Sequence, residues 1–173
     1  GISGNTIVNG EAITHHHHYH NNFLNSLPSS KIGAIQELLE GIADMEDKIL
    51  PIPTDITPYD VMKKVSHNSL RNYSMYYDQY MDFRNIIVAR LDFLSSNGQP
   101  TIKNKILNTV KRIYMHICAV ESNNDTIVLK ICEKIEKGLP SNLTIDDISY
   151  VPAVVFYVFS ECHIFEKPFQ LQP

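Results

Sequence analysis

From Ser29 onward the apolar residues fall three and four apart: Ile32, Ile35, Leu38, Leu39, Ile42, Met45 and Ile49. At about 3.6 residues per turn this spacing lines them along one side of a helix, and Ser29 is placed to cap its first turn. Pro51 and Pro53 stop this first helix, since proline has no amide proton for the next helical bond and its ring clashes with the preceding turn. Thr57-Pro58 reads as a cap followed by proline in a first turn, where the missing N–H costs nothing. A long second helical region then runs to about Ser95, with Val61, Val65, Tyr73, Tyr76, Tyr80, Phe83, Ile87 and Leu94 as its stripe and a break expected near His67 to Ser69. Asn97-Gly98 ends it.

Pro100 and Thr101 open a third helix that carries Ile102, Ile106, Val110, Ile113, Tyr114 and Ile117. The loop from Ser122 to Asp125 divides it from a fourth, capped by Asp125 and closed by Gly138-Leu139-Pro140. Thr144 with Asp146 and Asp147 puts a cap and negative charge at the positive end of a fifth helix. The apolar content from Ile148 to Phe165 predicts that this helix is buried on most sides, with Pro152 kinking its entry at most. The expected fold is all-α, a bundle of about five helices over residues 29–173, with no internal repeat. Residues 1–28 lack the helical period and read as a linker-like lead-in, in which Asn5 to Gly10 suits a short extended segment and turn.

Composition narrows the function classes. The chain has 173 residues, 43% hydrophobic and 20% charged, with a formal net charge of -4, as expected for one globular domain. Fifteen Lys and Arg against nineteen Asp and Glu give no general electrostatic reason to hold nucleic acid or an anionic membrane. The longest apolar run, Val151 to Phe159, is interrupted by Pro152 and is far shorter than the roughly 20 residues that cross a bilayer. The chain opens at Gly1-Ile2-Ser3 without a basic-then-apolar leader, so it reads as a fragment of a longer protein. Cys118, Cys132 and Cys162, odd in number and set in helical segments, read as reduced, buried thiols and favour the cytoplasm.

Candidate chemistry is sparse. His15, His16, His17, His18 and His20, interrupted by Tyr19, are the one dense run of metal-ligand side chains. Such a run takes up a transition metal opportunistically, whereas a dedicated site gathers ligands from separated rigid positions. A metal-binding bundle enzyme or sensor using these histidines with His116 or His163 therefore stays open as an alternative, as does a viral helical protein that binds a host factor. His116 and Cys118 lie about 200° apart on a helix and cannot chelate together. Asp44, Glu46 and Asp47 read as a solvated face, and Asp146 and Asp147 as a helix cap. The sequence contains no phosphate-binding glycine loop, nucleophile elbow or His-Glu-x-x-His helix, so no catalytic residue is assigned and no cofactor is expected. Tyr73, Tyr76, Tyr80 and Phe83 read as core. Tyr77 lies off that stripe and, with Arg84, suits a protein interface, as do Phe165 and Phe169 near the end of the chain, whose rings stay exposed unless a partner covers them.

Two stretches carry a family resemblance. Gly4-Asn5-Thr6-Ile7-Val8-Asn9-Gly10 resembles the Gly/Asn-rich connector that follows the effector part in proteins of bacterial ABC-three-component and Lamassu-like antiphage systems. The ending Val154-Val155-Phe156-Tyr157-Val158-Phe159-Ser160-Glu161-Cys162-His163-Ile164-Phe165-Glu166 is similar to the last helix of their C-terminal domains. The resemblance implies a non-catalytic association domain, detached from a toxic effector module, that docks onto an SMC-like or ABC-type ATPase; self-association into a homo-oligomer is compatible with it.

Overall fold

The apolar run near the end of the chain forms the centre around which the described helices of residues 60–161 pack. A computed structural model describes residues 29–46, 60–161 and 164–168. The chain divides into a unit of residues 1–33, of which only the opening helical turn 29–33 is described, and a compact body of residues 34–173. The described residues form α1 (Ser29–Asp44), α2 (Val61–His67), α3 (Ser74–Ser96), α4 (Ile102–Cys118), α5 (Asn124–Gly138), α6 (Ile145–Ile148) and α7 (Val151–Ser160), with no strand among them. The fold is all-α. No helix among the described residues is long and apolar enough to cross a membrane.

Two of the five expected helices are divided. The second breaks between His67 and Ser74, where Ser69 adopts a left-handed φ of 52° that no helix accommodates. Asp60 caps α2 through Met62 N at 2.8 Å, so the cap is Asp60, not Thr57; Thr57 and Pro58 lie outside the described residues. The fifth divides into α6, opened by a capping box between Thr144 and Asp147, and α7, in which Pro152 occupies the first turn of a new helix instead of kinking an existing one. The first helix ends at Asp44, a turn earlier than the stripe through Ile49 implied; Ile49, Pro51 and Pro53 lie outside the described residues. Asn123, not Asp125, caps α5 through Thr126 N at 2.9 Å. Asp125 instead accepts from the backbone amides of Arg71 and Asn72, each at 3.0 Å, and so pins the loop that enters α3. Gly98 closes α3 at a φ of 98°, which only glycine adopts without strain.

Every residue of α7 from Val151 to Phe159 except Pro152 is buried, with α3, α5 and α4 packed around it. Such a helix has no water to satisfy its end groups, and other helices do so. Gln79 of α3 accepts from Ala153 N at 3.0 Å and donates to Ser149 O at 2.7 Å at the entry. At the exit Lys64 of α2 donates through Nζ to the carbonyls of Phe159 at 2.5 Å and Ile164 at 2.7 Å, and lies 4.4 Å from the centre of the Phe159 ring. The segment 164–168 is held to the same helix by Asn68, which donates to Glu166 O at 2.8 Å and accepts from Glu166 N at 3.0 Å, and by His67 at 3.2 Å from the Glu166 carboxylate. The end of α1 is closed in the same manner by α4: the Thr109 hydroxyl bonds to Ile42 O at 3.0 Å and Arg112 Nη2 to Met45 O at 3.2 Å.

Candidate docking groove

The apolar side of α4 continues beyond the part that α1, α5 and α7 cover. Ile113, Ile117 and Val120 follow one another at spacings of four and three, so they line up along the helix and its C-terminal turn. Burial falls along this line, from Ile113 at 8% to Val120 at 83% exposure. The last two turns of α5 run alongside and carry Lys134 and Lys137, three apart and both exposed. Gly138 ends α5 beneath the side chain of Met45, and a Cβ at this position would strike the Met45 methyl group. Together these elements enclose an open groove of about 690 Å³ with an aliphatic floor of Ile113, Ile117, Val120 and Met45.

Its rim is basic. Arg112, His116, Lys134 and Lys137 all line it, and no carboxylate does so among the described residues. Arg112 is committed to the fold: its Nε lies 2.9 Å from the carboxylate of Glu46 while its Nη2 closes α1. Glu46 is only 8% exposed, which corrects the expectation that Asp44, Glu46 and Asp47 form a solvated face; Asp44 is exposed and Asp47 lies outside the described residues. Lys134 and Lys137 form no ion pair with a described residue. The groove therefore offers apolar contact flanked by positive charge. A second cavity, between Leu70, Tyr76, Val155 and Phe159, is about 10 Å³ and holds one water at most.

Comparison with protein-family models, curated proteins and solved structures finds no match.

The residues singled out from the sequence are scattered. Tyr77 is half-buried, with its ring edge-on to Phe156 at 5.9 Å and to Tyr73 at 6.5 Å, so it contributes to packing on α7 although it lies off the stripe. Arg84 is exposed on α3. Phe165 is covered by this chain itself, against Tyr114 at 4.9 Å and Phe159 at 5.6 Å, and adopts a φ of 63°. Phe169 and His15, His16, His17, His18 and His20 lie outside the described residues, as do Cys162 and His163. No group of three or more metal-ligating side chains occurs among the described residues. Cys132 is buried, but Cys118 is exposed, against the expectation of buried thiols. The groove was missed because Ile113 and Ile117 read as core. The signal in the sequence was the continuation of their line to Val120 with Arg112 and His116 on its flank.

Burial also shifts several acids upward. Desolvation, reinforced by the charge of Glu136, pushes the Cys132 thiol up to about 12. Desolvation and a hydrogen bond to Cys118 push Tyr114 up to about 12, and desolvation with the nearby Glu161 raises Tyr157. For each group the protonated form is favoured in the native state. The stability they contribute is complete below the ordinary values of 9.0 for the thiol and 10.0 for the phenols and is lost as pH rises from there toward 12. Helical circular dichroism is therefore expected to hold to about pH 9 and then collapse together with a late rise in tyrosinate absorbance. Ionisation of all nine tyrosines in one ordinary phase, with the helices intact, would contradict this assignment.

Proposed function

We propose that this chain is a protein-association domain that engages a macromolecular partner through the groove between α4 and α5. The observation that carries this reading is an aliphatic line that emerges from the core at Ile113 and ends in the open at Val120, 83% exposed, beneath a rim of basic side chains. A concave apolar strip framed by charged side chains is a shape that a partner's apolar side chains can fill. The likeness of the chain's two ends to ABC-three-component and Lamassu-like effectors makes an SMC-like or ABC-type ATPase the first partner to test. A photo-crosslinking residue placed at Val120 is expected to yield a discrete protein adduct in the native host, and the same residue at the exposed Ser95 on α3 is expected to yield none. No adduct at Val120, or equal adducts at both positions, would refute the proposal.

A further inference from the structure

Resting on that association reading, we infer that the groove receives an acidic amphipathic helix of the partner protein. The floor residues Ile113, Ile117 and Val120 repeat at helical spacing. From Arg112 to Val120 the wall spans about 12 Å at roughly 1.5 Å per residue, enough for two turns of a second helix laid alongside. A helix that presents apolar side chains at the same four-and-three spacing buries them against this floor and Met45, whose unbranched thioether adapts to what it meets. Such a helix would also cover Val120.

Charge selects its flanks. The rim cations that form no ion pair with a described residue, Lys134 and Lys137, both come from α5, so carboxylates on the α5 side of the incoming apolar stripe meet positive charge. A chain with a net charge of -4 otherwise repels acidic partners, which restricts their approach to this locally basic strip. The floor is aliphatic, and no Phe, Tyr or Trp is among the lining residues to form a stacking platform for nucleobases, which favours peptide over single-stranded nucleic acid. A free phosphate would leave the apolar floor uncovered.

The test is fluorescence anisotropy with the full chain and a labelled helical peptide bearing Leu at the floor spacing and Glu on both flanks. Two control peptides accompany it, one with the stripe scrambled at equal charge and one with every Glu replaced by Lys. The striped acidic peptide is expected to bind about tenfold or more tightly than either control. The double reversal Lys134→Glu with Lys137→Glu is expected to weaken it by about tenfold or more and to shift preference toward the Lys-bearing peptide. Both positions are exposed, and an unchanged helical spectrum verifies the fold of the variant. Equal binding of the scrambled peptide, indifference to the charge reversal, or binding of an oligonucleotide in place of the peptides would each overturn the inference. A protein adduct at Val120 combined with indifferent peptides would overturn the acidic helix and leave the association reading standing. Absence of any adduct would sink the association reading whatever the peptides do.

Discussion

Replacing Lys64 by Met is expected to lower the stability of the fold by about 2–4 kcal/mol, because two buried carbonyl groups each lose a charged donor. Lys64 is 0% exposed, and its ammonium bonds to Phe159 O and Ile164 O. Met keeps most of the aliphatic stem, so the substitution separates the polar role from packing. Relief of the buried ammonium offsets part of the loss, but each of the two carbonyls gives up a charged donor, an interaction worth roughly 1.5–3 kcal/mol. The cation also complements the negative end of α7, an interaction that vanishes with it. For a chain of this length the change corresponds to a melting temperature lowered by about 5–15 °C. Thermal and urea denaturation measure the total. Hydrogen exchange at the Glu166 amide, held by Asn68 Oδ1, is expected to accelerate first as segment 164–168 loosens. Wild-type stability with unchanged exchange would show that the two carbonyls do not depend on Lys64.

Phe156→Ala is expected to cost more, about 3–5 kcal/mol, through the cavity left in a fully packed centre. Phe156 meets Tyr80 at 5.2 Å, Phe159 at 5.0 Å and Tyr77 at 5.9 Å, so one truncation removes the ring that joins α3 to α7. Phe156→Leu keeps most of the volume, and the difference between the two variants isolates the cavity term. The same measurement sorts the surface residues. Tyr77→Ala is expected to destabilise the chain through loss of its contact with Phe156, whereas Arg84→Ala, at an exposed position, is expected to stay within about 0.5 kcal/mol of wild type. A Phe156→Ala variant with a midpoint close to that of the parent would show that α3 and α7 are held together by other contacts.

The helical class and most helix positions were legible because they depend on local spacing. The stripe from Ile35 to Ile42 is fully buried, the third helix runs from Ile102 as Thr101 indicated, and the fourth ends at Gly138. The errors fall where one local signal competed with another. Asp125 has the chemistry of a cap but lies two residues after Asn123, which takes that role, and this leaves its carboxylate for the amides of Arg71 and Asn72. Pro152 suits a kink and an N-terminal turn equally well, and its setting after Tyr150 decided for the turn. The groove was only half legible, since an aliphatic line on α4 has the same pattern whether a neighbouring helix covers all of it or stops short.

Local order along the chain was sufficient to determine that this protein is helical, that its final apolar helix is buried on most sides, and where glycine ends its segments, because these depend on neighbours a few positions away. The tertiary structure alone decided how the ends of buried helices are satisfied: Lys64 and Phe159 lie 95 positions apart, Gln79 and Ala153 74, and Thr109 and Ile42 67. It also decided that Lys134 and Lys137 face the same groove as His116. No periodicity encodes such pairings, because a buried carbonyl or amide accepts any donor or acceptor that packing brings within reach, and packing is a property of the whole chain.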